Sequence, residues 1–141
     1  MANPAEALAK VPLFAGIGRR ELKRLADRMS ERTFREGETA VEEGRGGAGF
    51  WLIENGEATV SVQGKAVRTL GAGDYFGEIA LIDDGPRSAT VTAATDMRCR
   101  GMAAWEFRPF VVEHPEVAWT ILQALARRLR EVESRQAPAA T

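Results

Sequence analysis

The chain has 141 residues, of which 45% are hydrophobic and 28% are charged, and its formal net charge at pH 7 is -1. This size suits one domain, residues 1–141, and the balanced charge gives no reason to expect binding to nucleic acid or to a membrane. One cysteine and one histidine are too few for a zinc or iron–sulfur site, so we expect no metal and no cofactor. The first ten residues lack the apolar run of a signal peptide, which favours a cytoplasmic protein.

The first part of the chain, residues 1–32, predicts short helices. Its apolar residues recur at roughly helical spacing between Ala5 and Met29, with a break at Pro12 and another at residues 16–18. The charged residues between them fall mostly on the opposite side. They indicate a solvated helix face rather than a binding patch.

The middle of the chain, residues 33–105, predicts antiparallel β structure. Short runs of alternating or β-branched residues are separated by glycine-containing turns. These turns are spaced closely enough for a barrel or a jelly roll rather than a parallel sheet. The predicted strands are Thr39 to Val41, Phe50 to Ile53, Ala58 to Val62, Val67 to Leu70, Ala89 to Ala93 and Met97 to Arg100.

Helical spacing returns in residues 106–135, and residues 136–141 are predicted to be a frayed tail. From Pro115 onward one apolar stripe is formed by Ala118, Ile121, Leu122, Leu125, Leu129 and Val132. This stripe can pack on the barrel or on a second copy of the chain. We therefore expect either a monomer or a helix-mediated homodimer.

The segment from Gly77 to Val91 carries the chemistry. It is too long for a hairpin turn, and the residues after Gly77 can begin a one-turn helix whose free N–H groups attract anions. Arg87 follows, with a guanidinium group that can hold the same anion through two hydrogen bonds. Glu78 is then suited to accept hydrogen bonds from sugar hydroxyls at some distance from the anion. Together these residues predict a nucleotide site.

The two halves of this segment, Phe76-Gly-Glu-Ile-Ala-Leu and Pro86-Arg-Ser-Ala-Thr-Val, resemble the phosphate-binding cassette of cyclic-nucleotide-binding domains. The cassette spans residues 76–91, and weaker similarities extend the resemblance over nearly the whole chain. The resemblance implies an α+β, mainly β fold: an eight-stranded antiparallel jelly-roll barrel with a short phosphate-binding helix inside it. N-terminal helices and a C-terminal lid helix would flank the barrel.

The resemblance also implies a role for each site residue. Glu78 would accept a hydrogen bond from the ribose 2′-hydroxyl, and Gly77 would allow the sugar to approach closely. Ser88 would favour cAMP without excluding cGMP. The cyclic phosphate would be held by Arg87 and by the backbone N–H groups of Ile79, Ala80 and Ala89. The base would meet Val62 and Val91 and be capped by Arg127 or Arg128.

Our leading hypothesis is a binding sensor, not an enzyme, whose terminal helix moves when a cyclic nucleotide binds and signals to an unidentified effector protein or domain. No set of residues resembles a catalytic centre. The main alternative is a degenerate barrel that acts as a protein-interaction domain or binds another small anionic ligand. A DNA-binding regulator of the catabolite-activator type is less favoured, because only six residues follow Arg135 and the terminal helix shows no basic face.

Overall fold

The computed structural model describes residues 4–45, 49–83 and 85–136. Five α-helices and one short 3-10 helix are present in this part of the chain. The α-helices are α1 (Pro4–Ala9), α2 (Arg19–Arg28), α3 (Glu78–Ile82), α4 (Ala104–Glu113) and α5 (Pro115–Gln136). The 3-10 helix, Pro12–Phe14, lies between α1 and α2.

Eight strands lie between α2 and α4, and they form two four-stranded antiparallel sheets. The first sheet has the order β1-β8-β3-β6 and the second has the order β2-β7-β4-β5. The strands are β1 (Ser30–Phe34), β2 (Thr39–Val41), β3 (Gly49–Asn55), β4 (Ala58–Val62), β5 (Lys65–Leu70), β6 (Tyr75–Phe76), β7 (Thr90–Ala93) and β8 (Met97–Ala103).

Successive side chains on a strand point to opposite faces of the sheet, and apolar residues on both faces of the first sheet form two apolar layers. On β3, Phe50 and Leu52 pack with the N-terminal helices, α4 and α5, whereas Ile53 faces the second sheet. The layer between the sheets consists of Phe34, Ile53, Ala58, Val60, Leu70, Phe76, Val91, Ala93, Met97 and Cys99. The two sheets therefore enclose one core, and the helices cover the outer face of the first sheet.

The α+β class and the antiparallel sheets agree with the sequence-based prediction, but several boundaries differ. Strand β1 begins at Ser30, inside the region expected to be helical, and β6 has only two residues. The helical region after the sheets begins at Ala104 and is divided at His114 into α4 and α5. The predicted tail, apart from Gln136, lies outside the described residues.

Within the described residues, no helix is both long enough and apolar enough to span a bilayer.

Candidate ligand-binding site

The site begins where β6 passes into α3 at Gly77. This residue has a φ of 97°, a left-handed conformation that glycine adopts without steric cost. A Cβ atom here would overlap with the carbonyl oxygen of Gly49 and would lie 2.8 Å from Nη1 of Arg87. Only glycine allows β3, β6 and Arg87 to meet this closely.

Arg87 is held at both its backbone and its side chain. Its N–H group donates to the carbonyl of Arg45 (2.9 Å), and its own carbonyl accepts from the N–H group of Gly44 (2.8 Å). The guanidinium donates from Nη1 to Gly77 and from Nη2 to Gly49, each over 2.9 Å. Since a guanidinium has five N–H donors, these two bonds leave three for a ligand.

Arg87 is also buried, with 6% of its surface exposed. Burial lowers the pKa of its guanidinium, while the nearby carboxylate of Glu78 raises it. A buried cation that retains spare donors is a favourable site for an anion.

Glu78 is buried more completely, with 2% of its surface exposed. Its Oε1 lies 3.6 Å from Nη1 of Arg128 on α5. Its Oε2 is buried and has no hydrogen-bond partner among the described residues. Burial raises the pKa of this carboxyl group, against the opposing effects of its own backbone N–H group and of three nearby arginines. Oε2 of Glu78 is therefore a buried acceptor without a donor, and a hydroxyl group of a ligand would supply that donor.

Glu78 and Arg87 line one pocket together with most of the other predicted site residues. Its open space is about 30 Å³, approximately the volume of one water molecule. Arg128 of α5 is part of its wall, whereas the neighbouring Arg127 is exposed. The lining residues are Val41, Val60, Arg68, Phe76, Gly77, Glu78, Ile79, Ala80, Arg87, Ser88, Ala89, Val91 and Arg128.

Val62 is the predicted site residue that the structure does not place in this lining. It is the last residue of β4 and pairs with Lys65 next to the turn into β5. Val60, two residues earlier on the same strand, is buried and lines the pocket instead. Alternation from buried Ala58 puts Val60 and Val62 on the same face of the strand, so it does not distinguish them. They differ in position, because Val62 is at the end of the strand beside the turn.

Arg68 and Val41 also line the pocket and were not predicted. Arg68 lies on β5 two residues before buried Leu70, so the two share a face of the strand. An arginine on the inward face of a strand is a signal that sequence analysis can detect, since buried charges require partners.

A larger groove, about 630 Å³ in volume, lies between α2 and α4. Its charged side chains on α2, Glu21, Arg24 and Arg28, are all exposed. Of the residues that the structure describes, the two buried charged ones, Glu78 and Arg87, lie in the smaller pocket. We therefore assign the candidate site to the smaller pocket.

The chemistry of the pocket defines the ligand that it suits. Arg87 offers unused donors at one point, and Glu78 offers an unused acceptor near it. Apolar side chains from β2, β4 and β7 complete the wall. A ligand with an anionic group, a hydroxyl group and a flat apolar part would satisfy all three.

Residues 31–114 match the model of the cyclic nucleotide-binding domain family. Since this match covers more than half of the chain, the chain belongs to that family.

Individual relatives fall into two groups. The cAMP-dependent protein kinase regulatory subunit of Yarrowia lipolytica is 43% identical over 93 residues, which cover 64% of this chain and 25% of the relative. The CRP-like cAMP-activated global transcriptional regulator of Mycobacterium tuberculosis is 28% identical over 134 residues, which cover 92% of this chain and 60% of the relative.

A solved structure, the catabolite activator protein of Thermus thermophilus, superimposes with a TM-score of 0.79 at 28% identity. The superposition covers 89% of this chain and 61% of that one. The chain thus spans between about a quarter and three fifths of the length of these relatives. They are regulatory subunits and transcription regulators.

Proposed function

We propose that this chain is a cyclic-nucleotide sensor that binds cAMP in the pocket around Glu78 and Arg87 and is not itself an enzyme. The observation that carries the proposal is the presence, in one pocket, of two buried side chains of opposite charge, Glu78 and Arg87, which both retain unused hydrogen-bonding capacity. The two relatives described above are a cAMP-dependent kinase subunit and a cAMP-activated regulator, which supports cAMP as the ligand.

In this proposal the phosphate of the ligand binds at Arg87. Three of its N–H groups are not used in its bonds to Gly77 and Gly49 and would bind phosphate oxygens. The backbone N–H groups of Ile79, Ala80 and Ala89, which line the pocket, would donate to the same phosphate. Ser88, which is exposed at the pocket, adds a hydroxyl group beside the anion. Gly77 keeps the space next to Arg87 free of a side chain.

Glu78 binds the ribose in this arrangement. Its Oε2 accepts the hydrogen bond from the 2′-hydroxyl, which supplies the partner that the buried oxygen lacks. The base then packs against the apolar wall, to which Val41, Val60 and Val91 contribute. A deoxyribose analogue would leave Oε2 without a partner.

Helix α5 acts as the lid and reporter. The open space of about 30 Å³ is far too small for a nucleotide, and Arg128 of α5 lies against Glu78. A nucleotide that enters this small space must displace the Arg128 side chain from the pocket wall, and it therefore favours another position of α5. Only such a difference in affinity between two positions of the helix can drive its movement.

We also propose that α5 can pair with α5 of a second copy. Four of its apolar side chains are 43–64% exposed: Trp119, Leu122, Leu129 and Val132. Leu122 and Leu129 are one heptad apart, the spacing at which two helices pack side by side. An effector protein, or a further domain of the kinds found in the relatives, would receive the signal.

A thermal-shift screen tests the proposed function. The melting temperature of the chain is measured with cAMP, cGMP, 5′-AMP, ATP and 2′-deoxy-cAMP at concentrations up to about 1 mM. We expect the two cyclic ribonucleotides to raise the melting temperature with concentration, because they bind the folded state alone. Equal, negligible shifts with every nucleotide would contradict the proposal and favour a degenerate domain that binds a protein or another anion.

A further inference from the structure

The groove between α2 and α4 lies outside the nucleotide pocket and has no part in the proposed function. It is about 630 Å³ in volume, and the two helices that form its walls have 10 residues each, about 15 Å of helix. Its buried lining residues are apolar: Leu25, Met102 and Phe110. A groove of this length with an apolar floor is the kind of surface against which a third helix packs.

Trp105 lines this groove and has 77% of its surface exposed. It is the most exposed of the large apolar side chains that the structure describes. Pro109, one turn later on α4, is exposed in the same lining. Tryptophan is enriched among the residues that dominate the binding energy of protein interfaces. Its exposure beside an apolar floor therefore indicates that a partner covers it.

The charges along the walls of the groove are only partly balanced within the chain. Arg24 pairs with Glu21 on α2 at 3.3 Å. Among the described residues, no ion pair is formed by Arg28 on α2 or by Glu106 and Glu113 on α4. Glu106 and Glu113 are two helical turns apart, about 10 Å along the axis of α4. The α4 wall therefore offers two carboxylates to a partner, and the α2 wall offers one guanidinium.

We propose that the α2–α4 groove binds an amphipathic helix of a partner protein, with two basic residues seven positions apart that face Glu106 and Glu113. An acidic residue on the opposite flank of this helix faces Arg28. Its apolar residues recur at every third or fourth position and pack on the floor of the groove and on Trp105. His114 lines the groove and immediately precedes α5, so the partner binds beside the helix that is proposed to move.

A helix-stabilised peptide of about 15 residues, labelled with fluorescein, tests this proposal through its fluorescence anisotropy. The peptide carries leucines at every third or fourth position, two lysines seven positions apart on one flank and a glutamate on the other. A second peptide has glutamates in place of the two lysines. Both are titrated with the wild type, with Trp105→Ala and with the double variant Glu106→Lys, Glu113→Lys. Glu36→Lys, an exposed change outside the groove, is the control.

We expect the wild type and Glu36→Lys to bind the lysine peptide at least about tenfold more tightly than the glutamate peptide, because like charges oppose each other in the second complex. The double variant should invert this preference. Its binding of the glutamate peptide would also show that it is folded. Trp105→Ala should weaken binding of the lysine peptide by about tenfold or more.

Equal affinity of the wild type for the two peptides, or no binding at up to about 1 mM peptide, would overturn the proposal. So would a loss of self-association in Trp105→Ala, measured by light scattering, in a chain that binds neither peptide, since a second copy would then occupy the groove. These outcomes are independent of cAMP. A chain that binds the lysine peptide but no cyclic nucleotide would support the groove proposal and contradict the proposed function.

Discussion

The two buried charges at the centre of the pocket differ in how well their surroundings satisfy them. Arg87 donates to two carbonyl groups, so it is stabilised without a ligand. Glu78 keeps one oxygen without a partner and is 3.6 Å from its nearest cation, Arg128. Burial of this carboxylate therefore lowers the stability of the free chain, and a ligand hydroxyl would supply the hydrogen bond that it lacks.

Replacement of Glu78 by glutamine should stabilise the free chain and impair binding. Burial raises the pKa of Glu78 in the folded state, so the stability contributed by this group is lost as the pH rises through that pKa. Glutamine is neutral at all pH values. We expect Glu78→Gln to raise the melting temperature at pH 7 by a few degrees, and the gain to shrink as the pH falls and the wild-type carboxyl group takes up its proton.

Melting curves between pH 4 and pH 8 measure this effect, with Glu133→Gln on the exposed face of α5 as the control. A melting temperature for Glu78→Gln that is below the wild type at pH 7 would show that the Arg128 pair outweighs the cost of burial.

Gly77 can be tested against a glycine with the same backbone conformation but open surroundings. Gly64 has a φ of 78° and no atom within 4 Å of the Cβ position, whereas a Cβ at Gly77 would overlap with Gly49. We expect Gly64→Ala to cost about 1–2 kcal/mol of backbone strain. Gly77→Ala should cost about 1–3 kcal/mol more, because the carbonyl and Arg87 must move.

Chemical denaturation of the two glycine variants gives both unfolding free energies. Equal losses would mean that the close approach at Gly77 is easily relaxed.

At the scale of elements, α5 is the part expected to move. Spin labels at exposed Lys65 on β5 and Glu133 on α5, each replaced by cysteine, report the distance between the sheet and the helix. The native Cys99 is fully buried and its pKa is raised to about 12, so it should resist labelling. We expect saturating cAMP to shift the distance distribution, and Arg128→Ala to shift it in the same direction without ligand.

A distribution that cAMP leaves unchanged, in protein shown to bind it, would contradict the lid role of α5. Arg127→Ala provides the matched control, since that side chain is exposed beside Arg128.

How much of each element could be predicted depends on how much of it is buried. The strands with alternating buried residues were predicted almost to their ends, as β4 and β7 show. Strand β1 was missed because four of its five residues are exposed, and only Phe34 signals a core face. Strand β6 was missed because two residues cannot show a period of two.

Within the local motif the site residues could be predicted from the sequence, whereas Arg128 was named from the family resemblance and Arg68 was not predicted. Gly77, Glu78 and Arg87 lie within one short segment, so the sequence alone brings them together. Arg68 and Arg128 reach the pocket from β5 and from α5, and their proximity depends on the packing of distant elements. Val60 and Val62 share a face of β4, so the sequence pattern does not show that Val60 is the one that lines the pocket.

At the scale of the whole molecule, the exposed stripe on α5 is expected to mediate self-association. Light scattering coupled to gel filtration measures the mass of the wild type and of Leu129→Glu. We expect the wild type to approach the mass of a dimer as its concentration rises, and Leu129→Glu to remain a monomer, because a charge at the helix seam is not tolerated. A wild-type mass that stays monomeric at about 100 μM would contradict pairing through α5.

The central claim is that the pocket around Arg87 binds a cyclic nucleotide through its phosphate. Calorimetric titration of cAMP into the wild type, Arg87→Lys, Arg87→Ala and the control Arg127→Ala tests it most directly. We expect one molecule of cAMP per chain and a loss of roughly 2–5 kcal/mol, at least about thirtyfold in affinity, on Arg87→Ala in folded protein. Nearly unchanged affinity in the Arg87 variants, or no binding by the wild type, would contradict the claim.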